Sequence, residues 1–209
     1  KNYSLTVSYS VTDGKAAVTK DKPAGVIVTN TYSKEVGNLI VTKEISGVTL
    51  TDEQKQKLTF TVTGPNNYQD SKSYNEFVNG SLELTNLPEG EYTVMEANAD
   101  VDGYTRTTTY SVAGGKTRVV KGQDAVITVT NSYTRDKGSL ELKKVFAGGK
   151  TAGDLTDAQK EAIHFTITGP DNYSKDVKYS EFTDGKYKLT DLPTGEYQVT
   201  ESGADFDKN

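Results

Sequence analysis

The chain has 209 residues and a formal net charge of −5, and its 24 Lys and Arg are interspersed among 29 Asp and Glu without a basic block, which argues against nucleic acid or an anionic membrane as its partner. It has no cysteine, so neither a disulfide framework nor a thiolate metal centre can hold it together. With 33% hydrophobic residues, no Trp, 13 Tyr and 19 Gly, and no apolar run of membrane-spanning length, it reads as about two modest all-β domains without membrane insertion.

In chain order, two strands come first, YSLTVSYSVTDGK at 3–15 and VIVTNTY at 26–32. A strand at 37–45, GNLIVTKEI, follows, and LTDEQK at 50–55 carries a capping-box pattern, Thr51 with Gln54, that predicts one short helix. LTFTVTGP at 58–65 is the next strand. Asn79-Gly80 between alternating segments predicts a type I′ hairpin, and LTNLPEGEYTV at 84–94 brings two strands around a turn. YTRTTTYSVAGGK at 104–116 and VITVTNSY at 126–133 then repeat the opening pair.

From 138 the pattern begins again: GSLELKKVF at 138–146, LTDAQK at 155–160 with Thr156 and Gln159, IHFTITGP at 163–170, Asp184-Gly185, and LTDLPTGEYQV at 189–199. The expected organisation is therefore the last strands of one module at 1–36, a complete module at 37–134 and the first two-thirds of another at 138–209. Both ends fall at one repeat phase, and Lys1-Asn2 recurs as Lys208-Asn209. With no charged-then-apolar leader, the sequence reads as an internal segment of a longer, processed protein.

Strand phase singles out three polar residues in 37–134. Lys43 shares a face with Leu39, Val41 and Ile45; Glu96 with Tyr92 and Val94; Asn131 with Ile127, Val129 and Tyr133. Polar groups on inward faces are costly unless they meet, so the three should lie together. Desolvation disfavours the charged forms of an amine and a carboxyl group. A neutral lysine is a nucleophile that can attack the Asn131 carboxamide carbon while Glu96 polarises the carbonyl and shuttles protons, expelling ammonia and leaving a Lys43–Asn131 amide. The reaction runs once per molecule, and contact enforced by the fold supplies the effective concentration. The alternative is a buried ion pair hydrogen-bonded to the asparagine, without a covalent bond.

Lys in VTKEI, Glu in YTVMEANADVDGY and Asn in VTNSY resemble the B-type repeat domains of collagen adhesins and Gram-positive pilins, and the Glu-to-Gly-Tyr segment is similar to the pilin E box, although the Ala-Pro before Gly-Tyr is missing. The resemblance implies tandem prealbumin-like (inverse Ig-like) β-sandwiches and a bond between the lysine of the first strand and the asparagine of the last, with the glutamate assisting: Lys43, Asn131 and Glu96 here. In the partial modules the same positions are Lys144, in phase with Leu140, Leu142 and Phe146; Glu201, in phase with Tyr197 and Val199; and Asn30, in phase with Val26 and Val28. Lys143 is out of phase and should face solvent. The expected function is a structural stalk of an extracellular, cell-wall-anchored surface fibre whose partners are neighbouring modules or copies; the alternative is an adhesin module that binds host matrix protein or glycan.

Other signals are weaker. LPTGE at 192–196 lacks a residue of a sortase signal and matches the turn LPEGE at 87–91. Asn98, Asp100, Asp102 and Gly103 open like a calcium loop, but Thr109 stands where a bidentate glutamate belongs, so no metal is expected. His164 should be an exposed strand residue, and the sequons at Asn2, Asn79 and Asn172 are read as coincidental. No Ser/His/Asp set or paired carboxylates recur, so neither a turnover enzyme nor a cofactor is expected.

Overall fold

The computed structural model describes residues 3–205; the Lys1-Asn2 and Lys208-Asn209 dipeptides lie outside them. In chain order the strands are β1 (Tyr3–Tyr9), β2 (Val28–Lys34), β3 (Val36–Ser46), β4 (Thr59–Gly64), β5 (Tyr68–Ser73), β6 (Ser81–Pro88), β7 (Gly90–Ala97), β8 (Tyr104–Tyr110), β9 (Lys116–Val119), β10 (Asp124–Arg135), β11 (Lys137–Lys143), β12 (His164–Thr168), β13 (Ser174–Lys178), β14 (Lys186–Pro193) and β15 (Gln198–Ser202). Two six-residue helices, α1 (Asp52–Lys57) and α2 (Asp157–Ala162), precede β4 and β12. The chain divides into two compact units, Lys1–Ala99 with Thr107–Ser132, and Asp100–Arg106 with Tyr133–Asn209. No helix among the described residues is long and apolar enough to cross a membrane.

Local chemistry accounts for the punctuation. Thr51 and Thr156 each accept from the backbone of a glutamine three residues on while that glutamine's side chain accepts from the threonine N–H, which closes both capping boxes. Asn79-Gly80 and Asp184-Gly185 all have positive φ, the condition of a type I′ turn. In the LPEGE turn Gly90 has φ +150, and a Cβ there would stand 2.3 Å from Pro65 Cγ. Gly195 of LPTGE repeats that geometry against Pro170.

A sandwich is built from two four-stranded sheets, ordered β6-β3-β10-β8 and β5-β4-β7-β9. β3 and β10 pair in parallel from Asn38 with Asp124 to Ser46 with Ser132. Strict alternation along β3 buries Gly37, Leu39, Val41 and Lys43, and β10 buries Ile127, Val129, Asn131 and Tyr133. Phe60, Val62, Tyr92, Val94 and Val119 of the second sheet close the core. Each fully buried aliphatic side chain stabilises the fold by about 1.5–3 kcal/mol relative to exposure.

In the second unit β11 pairs with β14 and β12 with β13 and β15, so the sheets have two and three strands. Leu142, Leu155, Ile163, Phe165, Ile167, Val177, Tyr179, Leu189 and Leu192 form its core. Arg135 braces the 100–106 stretch of this unit: its guanidinium donates to the Gly103 carbonyl (2.7 Å) and the Thr194 carbonyl (2.8 Å) and pairs with Asp171 (3.1 Å).

Candidate functional site

Lys43 enters the first core because its position on β3 obeys the same alternation as Leu39 and Val41. Its Nζ crosses to the opposite sheet and lies 2.9 Å from Glu96 Oε1 of β7; the side chains are 0% and 1% exposed. The amine also donates to the Val129 carbonyl of β10 at 3.3 Å. An ion pair so fully withdrawn from water loses several kcal/mol of hydration per charge, roughly offset by the Coulomb attraction.

Asn131 is completely buried on the strand beside Lys43. The parallel register sets Val129 opposite Lys43 and Asn131 opposite Ile45, so Lys43 and Asn131 share the inward face as diagonal neighbours two residues out of step. A long side chain spans such a diagonal. The Thr108 hydroxyl of β8 donates to Asn131 Oδ1 at 2.8 Å. That contact orients the carboxamide and puts a donor on its oxygen. Strand phase alone did not single out Thr108; the signal was its place among the inward positions of YTRTTTY. Tyr110, two residues on, accepts from the Glu96 backbone N–H at 3.2 Å and ties β8 to the glutamate. Apolar side chains complete the enclosure, with Val41, Val94, Ile127 and Val129 all at most 1% exposed.

The second unit contains half of this arrangement. Lys144 Nζ lies 2.7 Å from Glu201 Oε1, with side chains 18% and 32% exposed. Asn30 belongs to the first unit, on a β1–β2 hairpin whose residues are almost all exposed. Lys143 faces solvent as its phase requires.

The remaining candidates have local partners. Asp100 pairs with Arg106 at 2.9 Å, and Asn98 donates to the Thr59 hydroxyl. His164 is half-exposed, not free in solvent, because its Nδ1 meets Asp176 on β13. That hydrogen bond is the main reason the Asp176 carboxyl is held below its usual range.

A family model described as "Domain of unknown function (DUF5979)" matches residues 39–134, a little under half of the chain. Comparison with curated proteins finds no match. Among solved structures the chain is similar to the Bacillus anthracis TIE protein (24% identity over 86% of this chain and 32% of that one, TM-score 0.44). It is also similar to two B repeat units of the Staphylococcus aureus collagen-binding protein Cna (21% identity, 93% and 51% covered, TM-score 0.42). A third likeness is to a C-terminal fragment of the pilus adhesin SpaC from Lactobacillus rhamnosus GG (15% identity, 80% and 75% covered, TM-score 0.40). The chain thus spans about a third of the first of these proteins and half of the second.

Proposed function

We propose that the chain is a stalk segment of an extracellular, cell-wall-anchored surface fibre, and that its first sandwich locks itself with an amide between Lys43 and Asn131. The observation that carries this reading is a lysine and a glutamate 2.9 Å apart in a dry core, with a buried asparagine on the strand adjoining the lysine. An ion pair alone would not require a buried carboxamide beside it, nor a hydroxyl aimed at that carboxamide's oxygen.

The chemistry follows from the positions. Glu96 takes a proton from the ammonium, and the amine attacks Cγ of Asn131. Thr108 stabilises the developing charge on Oδ1. Glu96 then returns a proton to Nδ2 as the Cγ–Nδ2 bond breaks, and takes up the second proton that Nζ sheds on becoming an amide nitrogen. Nζ–Cγ is the bond gained and ammonia is the product, with no oxidant or cofactor consumed. Exclusion of water keeps it from competing with the amine for Cγ and strengthens each electrostatic contact.

A covalent tie between the first and last strands of a sandwich suits a load-bearing element. Tension that enters along β3 passes to β10 through the side-chain amide instead of peeling one strand from the other. Intact mass spectrometry tests the reading: the protein should weigh less than its sequence by one ammonia, and Glu96→Ala should restore the full mass. A full sequence mass in the unsubstituted protein would remove the cross-link and, with it, the reason to assign a mechanical role.

A further inference from the structure

Lys43, Glu96 and Asn131 each have a tether, and β8 supplies two of the three. The Lys43 backbone N–H donates to the Gly80 carbonyl at 2.8 Å, the Thr108 hydroxyl to Asn131 Oδ1 at 2.8 Å, and the Glu96 backbone N–H to the Tyr110 hydroxyl oxygen at 3.2 Å. The last of these contacts stands where a sheet edge gives out. β4 covers one edge of β7 from Thr93 to Ala97, with Phe60 opposite Glu96. Along the other edge β9 is only four residues long, and its pairing ends at Thr93 with Lys116. From Val94 onward that edge has no strand among the described residues, so the Tyr110 hydroxyl stands in for a ladder carbonyl at the Glu96 N–H.

The Tyr110 ring is in turn held by its own hairpin. Tyr110 is half-buried and packs on the turn that joins β8 to β9, where Gly114 and Gly115 both have positive φ. A Cβ at Gly115 would stand 2.4 Å from the Val94 carbonyl oxygen and 3.1 Å from Tyr110 Cδ1, so glycine lets the turn close on β7 and on the ring together. The similar segment YSVTDGK at 9–15 sets Tyr9 Cδ1 3.0 Å from the same position at Gly14. The contact recurs with the local sequence, which marks it as a property of the hairpin.

We propose that Tyr110 is a positioning residue for the Lys43–Asn131 reaction: carried on the Gly115 turn, it fixes the β7 backbone at Glu96 and so aims the carboxyl group at Lys43 Nζ. This rests on the cross-link and adds to it an element that sets its rate. Glu96 has to take a proton from the amine and return one to Asn131 Nδ2, and both transfers need the carboxyl group within hydrogen-bond reach. A misplacement of about 1 Å costs up to about 10²-fold in rate. Tyr110 works through the backbone from which that carboxyl group hangs, so it governs how fast the bond forms and not whether it can form.

The test separates rate from stability. The full chain is translated in a cell-free system, translation is stopped, and intact mass follows the ammonia loss with time while pulse proteolysis gives the folded fraction. Per folded molecule, Tyr110→Phe should react at least about 10-fold more slowly than the unsubstituted protein and still reach the same loss of one ammonia. Gly115→Ala, which displaces the ring, should slow the reaction as well. Leu87→Ala truncates the core where β6 meets Gly37, six residues along β3 from Lys43, and should lower stability while keeping the rate. A Tyr110→Phe protein that is less stable but reacts at the unsubstituted rate would make Tyr110 a merely structural residue. Equal slowing in Leu87→Ala would show that the rate follows stability in general, and would overturn the positioning role while leaving the cross-link. A full sequence mass in the unsubstituted protein would remove the cross-link and the positioning role together.

Discussion

The same strand sequence behaves differently in 37–134 and in 138–205. β3 runs for 11 residues and β11 for 7; β7 runs for 8 and β15 for 5. In both cases the longer strand has a hydrogen-bonded neighbour along the extra length, β10 for β3 and β9 for β7. Lys43 is 0% exposed and Lys144 18%; Val94 is 1% and Val199 42%. A strand's extent and the dryness of its inward face are thus supplied by the strand beside it, and inward phase makes a residue available for burial without burying it. The lysine–glutamate contact is the exception. It forms at 2.9 Å in one copy and 2.7 Å in the other, because the glutamates lie on β7 and β15 and Lys144 follows the end of β11 directly, where Lys43 still belongs to β3.

The most direct way to break this comparison is to remove one glutamate at a time. Glu96→Ala should leave Lys43 buried without its carboxylate, at about 3–5 kcal/mol. It should also forfeit a covalent loop from 43 to 131, whose closure contributes about 4–5 kcal/mol by analogy with disulfides. Glu201→Ala acts on a partly solvated pair and should cost under about 1 kcal/mol. Chemical denaturation of both variants measures the difference; equal losses would mean that burial is not what separates the sites.

Force should separate the two copies as well. Pulled through its ends, the first sandwich should withhold the contour between residues 43 and 131, roughly 300 Å of extended chain, and Glu96→Ala should release it. Release of that length by the unsubstituted protein in single-molecule extension would contradict a closed loop.

The hydroxyl of Thr108 provides a kinetic test. Thr108→Val keeps the side chain's size and removes the donor to Asn131 Oδ1, so cross-link formation, followed by mass after refolding, should slow by about 10²-fold. An unchanged rate in Thr108→Val would make Thr108 a packing residue.

Core truncation should follow the same contrast on a smaller scale. Val94→Ala removes methyls from a sealed core and should cost about 1–2 kcal/mol, whereas Val199→Ala should cost under about 0.5 kcal/mol. The smallest effect is one of pH. Glu76 is held low chiefly by the backbone N–H of Ser73, and Asp154 by that of Thr151. Their folded values lie below the unfolded ones, so their contribution is complete above the ordinary carboxylate range, about pH 4, and is lost as pH falls through the lower folded values. Glu76→Gln should flatten the acid limb of the denaturation curve in that window.

The sequence by itself determined what depends on near neighbours and on period. The two capping boxes, the Asn79-Gly80 and Asp184-Gly185 turns, and the inward phase of Lys43, Glu96 and Asn131 all rest on spacings of one to four residues, over which backbone geometry is nearly independent of the rest of the chain. Tertiary structure alone decided which of those inward residues became dry and what each one met. Thr108 reaches Asn131 from 23 residues away because β8 and β10 share a sheet, and His164 turns to Asp176 because β12 and β13 pair. Asn30 carries the same local pattern as Asn131 but stays in water, because burial belongs to the opposing sheet and not to the strand that presents the side chain.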